Sequence, residues 1–210
     1  EGVSVNSLAS DAIVVERCKF SSAPCRTRKR GIFVKTFNAK VVAVIFLVFY
    51  TVASTNAAPT EVEKELSAPQ LKGQHTAEYW GFKLFNAELW TNQPGKFSLD
   101  QPFALTLSYL NPFSREFLAW SSIKEIARVE GNSPKKYVKL EQQLRNCLIS
   151  VRKGMRITGI AESVDKVALY VNGQKSCTMH YPNLRERFFG IWLAPTSRDT
   201  RGAQSLRGSN

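Results

Sequence analysis

Side chains able to carry proton or metal chemistry are sparse in this sequence and poorly spaced for it. His75 and His180 are the only two histidines, far apart in the chain, and neither has another His or Cys at metal-ligand spacing. His180, in His180-Tyr181-Pro182, reads as a strand end. Glu78 and Glu88 become general bases only if burial or a charged neighbour raises their pKa; otherwise they are surface or strand-face carboxylates. The glycine-rich phosphate cradles G-x-G-x-x-G and G-x-x-x-x-G-K-[ST] and the nucleophile elbow G-x-S-x-G are absent. No catalytic residue, metal or cofactor is expected. Cys147 on a predicted helix and Cys177 on a predicted strand pair if those elements approach closely, and are two buried thiols if they do not. Apolar recognition is better supplied: Tyr79, Trp80, Phe85, Tyr109, Phe117 and Trp120 are among many aromatics able to line a cleft or fill a core.

Charge narrows the partners. The net +12 divides into 8 basic and 3 acidic residues up to position 57, and 21 basic and 14 acidic after it. In the second part the two signs are interspersed, which describes a solvated basic surface and not a nucleic-acid site. The dense run Arg26–Arg30 lies upstream of Val41–Ala53 (VVAVIFLVFYTVA), an uncharged stretch preceded by Lys35 and Lys40 and followed by small residues up to Pro59. That pattern is a signal peptide, with cleavage expected after Ala57 or Ala58. A spanning helix needs about 20 apolar residues, so contact with a membrane is expected only through this segment, if it is left uncleaved. Val34 is an attractive start for such a peptide, which makes residues 1–33 an extension carrying Cys18 and Cys25. The expected location is periplasmic or secreted.

Residues 1–57 are thus extension plus signal peptide, 58–70 a polar linker flanked by Pro59 and Pro69, and 71–210 the folded domain. Alternation from Gly81 to Trp90 predicts a strand with Phe85, Ala87 and Leu89 on one side and Leu84, Asn86, Glu88 and Trp90 on the other. A second strand, Phe103–Leu110, ends at Asn111-Pro112. Phe113, Phe117, Trp120, Ile123 and Ala127 recur at helical spacing up to Gly131, as the core face of a helix. A second helix opens at Ser133-Pro134 and carries Tyr137, Leu140, Leu144 and Cys147 on one face. Strands follow over Met155–Ala161, Val167–Val171 and Lys175–Met179, the last two joined by Asn172-Gly173. A short helix capped by Asn183 runs toward Pro195. The order ββ-αα-βββ-α predicts an α+β domain with a mainly antiparallel sheet covered by helices.

Gly73, the run Tyr79–Trp90, Pro102–Leu110, Lys153–Gly159, Tyr170–Gly173 and Phe188–Leu193 with Thr196-Ser197 beyond it follow one another in an order and spacing that resembles the bacterial exported chalcone isomerase-like domain, over roughly residues 71–207. The resemblance implies an open-faced β-sandwich with a ligand cleft between sheet and helices in catalytic and fatty-acid-binding relatives. It also implies that catalytic relatives cyclise a chalcone with help from an Arg in the first strand region, where Glu78 stands here. A carboxylate there repels a phenolate or a fatty-acid carboxylate. Phe113–Ala119 likewise lacks the Tyr and Lys that catalytic members place at the start of the next helix. The first expectation is therefore a non-catalytic exported module holding a small apolar or lipid-like ligand, with Glu78, Tyr79, Trp80, Tyr109 and Trp120 at its cleft. A structural or partner-binding exported protein with a filled core is the second reading, and an intramolecular lyase or isomerase of the chalcone isomerase type the third.

Overall fold

Positive-φ residues mark two tight turns of the sheet. Asn172-Gly173 (φ 47° and 89°) joins β5 (Lys166–Val171) to β6 (Gln174–His180), as Asn-Gly should. Trp80-Gly81 (φ 52° and 80°) joins β1 (Gln70–Tyr79) to β2 (Phe82–Thr91) with a bulky residue where Asn or Gly is usual. With β3 (Phe103–Tyr109) and β4 (Arg156–Ala161), the six strands form one antiparallel sheet in chain order. This computed structural model describes residues 57–92 and 94–208; the predicted signal segment, Cys18 and Cys25 lie outside them.

One face of the sheet carries most of the helices. Between β3 and β4 the chain forms α2 (Arg115–Val129), a 3-10 turn (Pro134–Tyr137) and α3 (Val138–Cys147). Ser114 caps α2 by accepting from the Phe117 amide at 3.1 Å. Ser133 and Pro134 do open a helical segment, whose first turn is 3-10 before it relaxes into α3. After β6 come α4 (Leu184–Leu193) and α5 (Thr200–Arg207). Asn183 precedes α4 but does not cap it: it sits at φ 52° with no side-chain cap bond. The main core lies beneath these helices, where Ala87, Leu89, Phe103, Leu105 and Leu169 meet Ile123, Leu140, Leu144 and Phe189. Cys147 at the end of α3 and Cys177 on β6 are joined as a disulfide, with Cα atoms 5.5 Å apart.

The opposite face is covered by α1 (Thr60–Glu65), where the sequence reads as linker. Val62 and Leu66, one helical turn apart, close a second small core over Trp90, Ala104, Ile160 and Ala168. Glu61 is fully buried: its carboxylate accepts from Arg156 Nε at 2.8 Å, Arg156 Nη2 at 2.9 Å and Thr158 Oγ1 at 2.7 Å. Burial pushes the Glu61 carboxyl up, but the bonds from Arg156 and Thr158 hold it below its ordinary value. Glu65 accepts from the Tyr170 hydroxyl at 2.6 Å.

β1 and α5 are the other elements absent from the sequence reading. They meet at Gly73, where a Cβ would lie 2.1 Å from the Ser205 carbonyl oxygen, so only glycine lets the helix rest on the strand.

Candidate functional site

Strand alternation delivers one row of side chains per strand to the helix-covered face. His75 and Ala77 come from β1, Phe85 and Ala87 from β2, Leu107 and Tyr109 from β3, and Ile157 from β4. α2, α4 and α5 do not close fully over these rows. Between them lies a cavity of about 300 Å³, completed by Phe113, Phe117, Leu118, Phe188, Trp192 and Leu206. Phe117 lines the cavity and is exposed, so the space reaches solvent beside the first turn of α2.

Its polar groups gather at one end, and most are already engaged. His75 Nε2 meets Asp199 Oδ2 at 2.6 Å, while Asp199 Oδ1 caps α5 by accepting from the Gly202 amide at 2.8 Å. Glu125 accepts from Arg198 Nε at 2.9 Å and Arg128 Nε at 2.8 Å. Burial pushes the Glu125 carboxyl up, but these two guanidinium groups hold it below the ordinary range, which makes it a weak base. Ser121 and Ser122 donate back to the Leu118 carbonyl, and Ser197 to that of Ile191.

Tyr109 is different. It is buried between the rings of Phe85 and Phe113, lines the cavity, and its hydroxyl has no hydrogen-bond partner among the described residues. Burial pushes its pKa well above the phenol value, so the hydroxyl stays neutral and able to donate. The hydroxyl lines the cavity, where a bound water or the polar end of a ligand can pair with it.

The other sequence candidates lie elsewhere. Trp120 is 49% exposed, outside the lining, with its ring 6.0 Å from that of Phe117. Glu78, Tyr79 and Trp80 are exposed and line no part of the cavity. Alternation and a register shift between Ala77 and Glu78 send Glu78 away from the cavity, and the hairpin then runs past the helical layer. Phe113 and Phe117, expected as core, instead form a stacked pair on the cavity wall, 5.6 Å apart. The α5 contribution was missed with α5 itself. Its one signal was Asp199, an N-cap residue type before a short run.

No protein-family model matches the chain, and no curated protein matches it. Among solved structures it is similar to the crystal structure of an Arabidopsis thaliana fatty-acid binding protein, at a TM-score of 0.52 and 7% identity, over 67% of this chain and 87% of that one. At that identity the likeness is one of fold. The antiparallel sheet with its helical layer is an open-faced α+β sandwich, a fold that the fatty-acid binding protein shares.

Proposed function

We propose that this domain is a non-catalytic, exported binding module of the bacterial chalcone isomerase-like type, which holds a small apolar or lipid-like molecule between sheet and helices. The observation that carries it is the apolar cavity of about 300 Å³ with one unengaged hydroxyl, Tyr109, in its wall. A molecule with an apolar body and a single acceptor matches that wall. At roughly the 30 Å³ a water-sized group takes in a liquid, the enclosed space accepts about ten methylene groups, with room for a longer chain to leave past Phe117. The fatty-acid binding protein with the same fold supports this choice of ligand class, and the Cys147–Cys177 disulfide supports an oxidising compartment. Catalysis is less well supported, because Glu125 is neutralised by two arginines and Asp199 is engaged by His75 and the start of α5.

Titration of the purified protein with decanoic acid, followed by calorimetry and native mass spectrometry, tests the reading. Saturable binding at one site is expected, and Ala77→Phe, which fills the cavity from the edge strand, should abolish it with little change in stability. Absence of binding to decanoic acid, longer fatty acids and neutral apolar dyes would overturn the proposal in favour of a structural or partner-binding role.

A further inference from the structure

The hairpin joining β1 and β2 ends in a cluster that folding does not use. Trp80 is 81% exposed, Phe82 71% and Tyr79 63%. Trp80 is held at φ 52°, a left-handed conformation that is costly for a bulky residue and that Gly, and to a lesser degree Asn, adopts more readily. Three exposed aromatics at the tip of a turn, one of them strained, pack on little but one another in the free domain, the Tyr79 and Trp80 rings lying 6.2 Å apart.

The tip is continuous with the open side of the cavity. Asn111, two residues before Phe113, donates to the Lys83 carbonyl at 2.6 Å. From Phe113 the rings step to Phe117 and on to half-exposed Trp120. A cation flanks each part of this surface: Lys83, next to Phe82, is exposed, and Lys124 Nζ sits 5.6 Å from the centre of the Trp120 ring. The neighbouring acids are largely neutralised, Glu116 by Arg115 at 3.1 Å and Glu125 by Arg198 and Arg128, which leaves exposed Glu78, directly across the hairpin from Lys83.

We propose that the Trp80 hairpin tip and the Phe117–Trp120 face of α2 together dock the domain on an anionic phospholipid surface, with the open side of the cavity toward the bilayer. Tyr and Trp suit the boundary between headgroups and acyl chains because each has an apolar body and a polar tip. Lys83 and Lys124 then lie at headgroup depth, opposite anionic lipid. A membrane surface fits better than a protein pocket, because the aromatics project from a convex tip. The proposal places a membrane contact in the folded domain itself, beyond the N-terminal segment to which the sequence confined it, and it does not require the cavity to be filled.

Because Val41–Ala53 can bind vesicles unaided, the readout must be local. The protein is mixed with vesicles of phosphatidylcholine, with or without phosphatidylglycerol, carrying acyl chains brominated as a quencher. Subtracting the signal of Trp80→Asn, whose new residue tolerates positive φ, isolates Trp80. Quenching of Trp80 is expected on the phosphatidylglycerol vesicles, with the lipid titration weakened by at least about tenfold in Lys83→Glu/Lys124→Glu. Decanoic acid binding should be unchanged in both variants. Absence of Trp80 quenching, equal quenching on neutral vesicles, or indifference to charge reversal would each overturn the proposal. So would a dimer in solution that Trp80→Asn dissociates, since the occupant would then be a second copy of the chain.

Discussion

Removing Arg156 should destabilise the domain far more than removing its partner Glu61, although both changes break the same ion pair. The asymmetry follows from solvent access: the Glu61 side chain is 0% exposed and that of Arg156 is 31% exposed. In Arg156→Ala the carboxylate keeps the 2.7 Å bond from Thr158 and a long one, 3.5 Å, from the Thr60 hydroxyl, and has no route to water while α1 stays docked. An uncompensated buried charge of this kind costs about 3–5 kcal/mol. In Glu61→Gln the guanidinium turns outward, and the loss is that of charge-assisted hydrogen bonds, about 1–3 kcal/mol. Equilibrium unfolding in urea at pH 7 measures both. With a slope of about 2 kcal/mol per molar, the Arg156→Ala midpoint should fall by about 2 M and that of Glu61→Gln by roughly half as much. Glu61→Leu/Arg156→Met, which replaces the pair with apolar bulk, should recover most of the loss. Acidity supplies a second check. The folded-state pKa of Glu61 is depressed, so its stabilisation is complete above the ordinary carboxylate value near 4.5 and is lost as pH falls through the lower folded value. Glu61→Gln should therefore flatten the decline in stability below about pH 4.5. Equal costs for the two single variants would refute the reasoning, because they would show a Glu61 that water reaches.

Gly73→Ala should destabilise by several kcal/mol and release α5, since its Cβ would sit 2.1 Å from a main-chain oxygen; faster amide exchange over Thr200–Arg207 would show it. Cys147→Ser/Cys177→Ser opens a bridge spanning 30 residues and should cost about 3–4 kcal/mol, read as a lower thermal midpoint that matches the reduced wild type. Tyr109→Phe should leave the urea midpoint unchanged or slightly raised, because the hydroxyl has no protein partner, while decanoic acid binding weakens by about tenfold.

The elements legible in the sequence are those whose local pattern and tertiary role agree. β2 alternates in sequence, β3 is a run of β-compatible residues ended by Asn111-Pro112, and Asn172-Gly173 announces its turn by residue type. β1 is hidden because its residues, QLKGQHTAEY, are mostly polar and it lies at the sheet edge. The charged hexapeptide TEVEKE conceals α1, which depends on Val62 and on a buried ion pair whose cation comes from β4. Gly202 in the first turn of α5 argues against a helix by propensity, and packing on Gly73 overrides it. At the site, helical spacing put Phe113 and Phe117 on one face with Ile123 and Ala127. Spacing cannot reveal that the sheet stands away from the first turn of α2, leaving those rings on a cavity wall. Tyr79 and Trp80 drew notice as aromatics, but the turn between them and Phe82 carries no Asn-Gly or Asp-Gly signature, so the hairpin that lifts them into solvent was invisible.

The position of α1 also sets a timetable. Glu61 bonds to Arg156, 95 residues later, and Glu65 to Tyr170, 105 residues later. A chain made from its N-terminus delivers this helix before every described strand, yet β4 and β5, on which it must land, come late. Until then Trp90 and Ala104 have no cover on that side, and the six-residue segment is too short to hold helical shape alone. The first of the described elements to be synthesised is thus among the last to settle, and its docking signals that β4 and β5 have already joined the sheet.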